Sequence, residues 1–142
     1  MDRQRLAAQL RLHEGVEKLP YKCTAGYLTI GVGRNIEERG LSDDEIDYIL
    51  NNDVDIATSE LASSFDWFAG LDDVRMRVVV DMVFNLGMPR FKQFQNMISA
   101  IEAEDWPEAA AQMMDSRWAK QVGARAERLR DMMETGGDSS DF

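Results

Sequence analysis

Glu14 is the first side chain in this sequence whose position suits chemistry. It closes an amphipathic stretch over residues 3–14 and is followed at once by Gly15. The negative end of a helix dipole disfavours an added anion at such a position, which is the setting a general acid needs. Without further context, a carboxylate at a helix end is simply a solvated side chain. His13 and Cys23 are the only histidine and the only cysteine. His13 lacks spaced partners for a metal and reads as a solvent-facing helix residue. Cys23 excludes any intrachain disulfide and any cysteine-rich zinc site, because it is alone. An ordinary thiol titrates near about 8.5, so it is a poor base at neutral pH but a good nucleophile once ionised. Gly31-Val32-Gly33 is too short for a dinucleotide loop, and no phosphate loop, HExxH or Ser-His-Asp pattern occurs. No metal and no cofactor are therefore expected.

The elements that must position these residues follow from the apolar pattern. Leu6 and Leu10 fall on one stripe of a helix over residues 3–14. Pro20 to Gly33 is rich in Tyr, Thr, Ile, Val and Gly, with Thr24-Ala25-Gly26 as a turn. A β-hairpin is expected there, with Tyr27, Thr29 and Val32 in a strand. Ser42 and Glu45 have the spacing of a capping box, with Asp43 and Asp44 in the first turn. Ile46, Ile49, Leu50, Val54, Ala57 and Leu61 then mark a helix of about 20 residues, long enough to connect two lobes. An aromatic connector over residues 65–71 leads to a helix from about Asp72 to Leu86. Its centre is apolar on nearly every face, which suits the axis of a helical bundle. Gly87 and Pro89 end it. Further helices are expected at about 90–103, 107–115 and 122–134, and Trp106, Trp118 and the paired methionines read as core. The tail from 138 to 142 is expected to be disordered. The plan is α+β with a minimal sheet.

Composition excludes several classes. The chain has 142 residues with 16 basic and 26 acidic side chains, a net charge of −10. Excess acid argues against nucleic-acid binding, which needs clustered Lys and Arg. No apolar run approaches the roughly 18 residues of a membrane span. The opening residues form a charged amphipathic start without the pattern of a signal peptide, so accumulation in the cytoplasm is expected. The charge is uneven. Residues 1–39 carry +2, residues 40–74 carry −10 with no basic residue, and residues 75–142 carry −2.

Set in order, these residues resemble the phage lysozyme family, glycoside hydrolase family 24 of the T-even and lambdoid type. The family signature is Glu, eight residues, Asp or Cys, five residues, Thr; here it is Glu14, Cys23 and Thr29. Tyr21-Lys22 and Thr29-Ile30-Gly31-Val32-Gly33 match around it. Asn52-Asp53-Val54-Asp55, Asp81 to Gly87, Asp105 to Ala110, Ser116-Arg117-Trp118 and Arg125-Ala126 continue the likeness, which covers about residues 4–137. The stretch from Asn35 to Ser42 is shorter than in the T-even enzymes.

The resemblance implies a two-lobed lysozyme-like domain over 1–137. A β-lobe at about 15–41 is joined by a helix at about 42–63 to a helical lobe at about 65–135, which includes helix 3–14. It implies cleavage of the β-1,4 bond between N-acetylmuramic acid and N-acetylglucosamine, with Glu14 protonating the glycosidic oxygen. The family's usual Asp activates water, and Thr29 would help hold that water. Cys23 departs from that Asp. It is a thiolate base, a nucleophile on a retaining path, or a passive residue beside Glu14 and Thr29. Phe84 and Asn85 are implied to line the cleft, and Arg125 to approach the catalytic Glu. Arg34 replaces a His of the T-even enzymes whose partner aligns with Asp53, so an Arg34–Asp53 ion pair is expected. The implied role is that of a monomeric endolysin that acts on peptidoglycan. It would accumulate in the host cytoplasm and reach the wall through a hole made by a separate holin. An inactive wall-binding or virion-associated module, or a lytic transglycosylase, is the alternative. Overall charge offers such a protein little steering towards an anionic wall.

Overall fold

The order of elements begins with a helix and a small sheet and ends in a run of helices. The computed structural model describes all residues, Met1–Phe142. Helix α1 (Arg3–Glu14) starts where the Asp2 side chain accepts the Arg5 N–H, and stops at Gly15, whose N–H returns to the Arg11 carbonyl. Three antiparallel strands follow in the order β1 (Glu17–Lys22), β2 (Leu28–Gly31), β3 (Arg34–Asn35). The hairpin is thus extended by a third, two-residue strand. Val32 sits in the β2–β3 turn and Tyr27 ahead of β2, outside the strands expected for them. Tyr21 pairs with Thr29 and Lys22 with Leu28, but the register breaks between Glu17 and Tyr21. Pro20 lies in that interval and has no N–H for the ladder, which an edge strand tolerates.

Helix α2 (Asp43–Ser64) carries the capping box legible in the sequence: Ser42 Oγ accepts the Glu45 N–H at 3.3 Å, and Glu45 Oε1 accepts the Ser42 N–H at 3.0 Å. A single 3-10 turn (Phe68–Gly70) precedes α3 (Asp73–Leu86), α4 (Met88–Phe91), α5 (Gln95–Glu102), α6 (Trp106–Met114), α7 (Arg117–Val122) and α8 (Ala124–Thr135). The helix expected at about 90–103 is divided into α4 and α5 by a break at residues 92–94, and α7 is a helix outside those expected, separated from α8 by Gly123 at φ 56°. No helix is long and apolar enough to cross a membrane.

The chain forms two compact units, Met1–Ile49 and Leu50–Phe142, with the division inside α2. Helix α1 groups with the sheet, whereas the resemblance attaches it to the helical lobe. Every buried apolar residue, from Ala57 to Met133, lies in the second unit. Val78, Val79, Met82 and Val83 on α3 are buried together with Phe91, Met97, Ile101, Met113, Leu129, Met132 and Met133. The apolar centre of α3 is therefore part of the core, as its pattern predicts. The unbranched methionines suit the irregular gaps between short helices. Trp118 is buried, while Trp106 is half-buried with the Arg75 guanidinium 4.1 Å from its ring centre. Arg75 also donates to the Met133 and Glu134 carbonyls, at 2.7 and 3.0 Å, closing the end of α8 from α3.

The tail beyond Gly137 has no regular helix or strand, and its acidic side chains meet arginines of the helices. Arg77 holds Asp138 through two hydrogen bonds, at 2.7 and 3.2 Å, and Arg128 lies 3.6 Å from Asp141. Charge that the sequence places 61 residues away supplies the anchor.

Candidate active site

The first unit holds all three signature residues, with Cys23 and Thr29 in contact and Glu14 against the β2–β3 turn. Glu14, the last residue of α1, is exposed and lies against the β2–β3 turn. Gly33 in that turn has φ +67°, and a Cβ added there would stand 2.9 Å from Glu14 Oε2. Two constraints therefore converge on one glycine: a left-handed backbone and the close approach of the carboxylate. Glycine at 33 leaves the room that the Glu14 carboxyl occupies.

Cys23 follows β1 at the turn that closes the hairpin. Its N–H donates to the Tyr27 carbonyl at 2.9 Å, and the Gly26 N–H donates to the Cys23 carbonyl at 2.8 Å. Gly26 takes φ +87° to complete this turn. The wrapped backbone also acts on the thiol. Hydrogen bonding from the Tyr27 backbone holds the Cys23 thiol below its ordinary range, partial burial pushes the other way, and the backbone of Ala25, the Thr29 hydroxyl and the backbone of Gly26 add to the lowering. The neutral thiol expected from its ordinary titration is thus displaced towards thiolate.

Thr29, in the central strand β2, is 3 % exposed and is the one buried residue of the first unit. Its Oγ1 lies 2.9 Å from the Tyr27 carbonyl and also reaches Cys23, so its single proton serves either acceptor. Two of the three signature residues therefore share a hydrogen-bond network, and the third, at the end of α1, lies against the β2–β3 turn.

Arg34 corrects one expectation. Its guanidinium grips Glu45, not Asp53: Nη1 donates to Oε1 at 3.0 Å and Nη2 meets Oε2 at 2.7 Å, while Nη1 also reaches the Gly40 carbonyl at 3.1 Å. Asp53 stands eight residues further along α2, roughly 12 Å by helix rise, whereas Glu45 is already fixed in the first turn by the capping box. The bidentate Arg34 contact, with the Ser42 hydrogen bonds, holds the Glu45 carboxyl down at about 2. Glu45 was legible as a cap; its second role needs β3 beside the start of α2.

The second unit holds the remaining predicted residues. Phe84 stays 46 % exposed on a helix whose other large residues are mostly covered. Asn85, its neighbour, accepts a hydrogen bond from Trp118 Nε1 at 2.8 Å. Trp118 also packs edge-on to Phe94, so α7 fixes the amide on α3. Beside it opens a groove of about 730 Å³, lined by Trp118 and by amide and guanidinium groups such as Gln93, Asn96, Gln112 and Arg117. Arg125 has a partner within the second unit. Its guanidinium binds Asp81, with Nε to Oδ1 at 2.9 Å and Nη2 to Oδ1 at 2.7 Å. Asp81 is on α3, which packs along α8, so one carboxylate oxygen takes two nitrogens of Arg125. Asp81, Gly33 and Trp118 are thus positioning residues that the sequence did not single out for this task.

Fold and site define an α+β protein of the lysozyme type: a carboxylic acid at a helix end beside a short hairpin, followed by a helical unit. The family model described as phage lysozyme matches residues 11–133, and the chain belongs to that family. Relatives include "Probable T4-type lysozyme 1" of Dictyostelium discoideum, 28 % identical over 89 % of this chain and 92 % of its own length. "Probable T4-type lysozyme 2" of the same organism is 26 % identical over 92 % of this chain and 94 % of its length. The "Pre-baseplate central spike protein Gp5" of Enterobacteria phage T4 is 27 % identical over 92 % of this chain, which corresponds to 28 % of that longer protein. Membership of this family makes the function lysozyme-type action on peptidoglycan.

Proposed function

We propose that the chain is an endolysin that hydrolyses the β-1,4 bond between N-acetylmuramic acid and N-acetylglucosamine. Glu14 is the general acid and gives its proton to the glycosidic oxygen as that bond breaks. Cys23, as thiolate, takes a proton from water while the water oxygen bonds to the anomeric carbon, and the Thr29 hydroxyl helps to hold that water. The observation that carries this reading is the turn around Cys23, whose backbone hydrogen bonds and Thr29 hydroxyl hold the thiol below its ordinary range. A neutral thiol in the place of the family's Asp would be a poor base; a thiolate is a competent one. The amide-lined groove beside Trp118 and Asn85 supports an N-acetylated, amide-rich polymer as the substrate.

The test is lysis of cell-wall suspensions with product analysis. Glu14→Gln is expected to lower the rate by about 10²–10⁴-fold. Cys23→Asp should retain activity, while Cys23→Ala and iodoacetamide-treated protein should lose it. Because the Cys23 pKa is lowered, activity should rise with pH through a range below that of an ordinary thiol. Full activity in the alanine and alkylated forms would remove Cys23 from the reaction. Reducing-end muramic acid supports hydrolysis, and a 1,6-anhydro product would replace it with transglycosylation. The similarity to part of a phage spike protein favours a second reading, a lysozyme module carried by a virion. Detection of the chain in purified phage particles would favour that reading over an endolysin.

A further inference from the structure

The tail crosses a concentration of arginines in an otherwise acidic chain. Arg77 on α3 is shared by Asp73, at 2.9 Å, and Asp138, at 2.7 Å. Arg128 on α8 has only a loose contact with Asp141, at 3.6 Å. Phe142 closes a pocket of about 350 Å³ with Asp81, Arg125, Arg128 and Leu129, yet it remains 72 % exposed. The attachment is therefore almost wholly polar. Exposed ion pairs of this kind contribute little and are screened by salt. Gly136, at φ +70°, and Gly137 give the segment a hinge at its start. Arg77 keeps Asp73 when Asp138 leaves, so release strands no cation.

We propose that residues 138–142 are an acidic strap that partly covers a wall-binding face formed by Arg77 and Arg128, which stay 40 % and 39 % exposed beneath it. The occupant that displaces the strap is the peptidoglycan strand, through the carboxylates of its stem peptides. Charge complementarity carries the assignment. The strap offers two carboxylates three residues apart and no base, and the face beneath it pairs with them through guanidinium groups, whose fork geometry suits carboxylate. A carboxylate-bearing polymer makes the same contacts from outside. A chain of net charge −10 gains no long-range steering towards such a polymer, so a local cationic face, uncovered on contact, gives it a foothold. The inference rests on peptidoglycan as the substrate and deepens that reading.

The experiment is co-sedimentation of the full chain with purified sacculi in the Glu14→Gln background, which separates binding from cleavage. Asp138→Asn with Asp141→Asn should raise wall binding about three-fold or more at low ionic strength, and the difference should vanish in high salt. Arg77→Gln with Arg128→Gln should bind less than the parent. Melting curves for each variant verify folding, and chitin, a neutral glycan, serves as the control polymer. Unchanged wall binding in the folded asparagine variant overturns the proposal, as does an equal gain on chitin. Activity of Glu14→Gln itself is read separately: lysis that survives this change defeats the catalytic reading and leaves the strap result standing.

Discussion

Residues 1–49 and residues 50–142 are built on different principles. The first unit buries a single side chain completely, Thr29, and is held by backbone hydrogen bonds, turns at positive φ and the Arg34–Glu45 grip. The second holds the entire buried apolar core. The proposed chemistry lies where hydrophobic burial is least, and the buried core where the candidate acid, thiol and hydroxyl are absent. Hydrogen-bonded turns hold a side chain at the surface, open to substrate and water; a packed core supplies rigidity but excludes both.

The largest effect should come from the core. Phe91 is fully buried and meets Phe65 edge-on, so Phe91→Ala should cost about 3–5 kcal/mol, measured by chemical denaturation. The comparison is sharpened if alkylation of Cys23 in the same variant keeps its parent rate below the melting range, and broken if thiol reactivity changes in step with core stability.

Gly33→Ala probes the opposite case. It forces a side chain into a left-handed backbone and against Glu14 Oε2, so a stability cost of about 1–2 kcal/mol is expected. Displacement of the carboxyl should lower lytic activity by up to about 100-fold. A stability loss without a loss of activity would break the link between this turn and the acid.

Acid should act on the first unit through Glu45. Its folded pKa of about 2 lies below the ordinary value of 4.5. The stabilisation is therefore fully present above the ordinary value and is lost as pH falls through 2. Circular dichroism from pH 5 to pH 2 should show this loss in the parent and a weaker one in Glu45→Gln.

The smallest effect concerns a helix end in the second unit. Asp105 N–H returns to Ala100 and Glu104 N–H to Ile101, a Schellman ending of α5 with Glu104 at φ 55° in the place that glycine favours. Glu104→Gly should stabilise by about 0.5–1 kcal/mol, read from the melting temperature. An unchanged or lower melting temperature would show that the carboxylate contributes something the backbone geometry does not reveal.

The ease of reading followed sequence distance. The α2 cap, the α3 core stripe and the hairpin turn at 24–26 depend on residues within a few positions of one another, and they were legible. The proposed Glu14, Cys23 and Thr29 set comes from a spaced signature. The partners of Arg34 and Arg125 were not legible. An arginine's reach spans many residues' worth of chain, and the choice among several carboxylates depends on which one the backbone has already oriented. The capping box had oriented Glu45; the packing of α3 along α8 had placed Asp81. The partners of the tail were hidden for the same reason, because local composition carries no record of Arg77.

The sequence by itself determined the family, the α+β plan, the uneven charge and the identity of the candidate acid, thiol and hydroxyl, since each is written in composition, period or spacing. Only the tertiary structure decided that Gly33 makes room for Glu14, that the Cys23 turn lowers the pKa of its thiol, which carboxylate each arginine takes, and that an acidic tail lies across Arg77. Each of these depends on distances between groups remote in the chain, and electrostatic and steric energies follow distance in space.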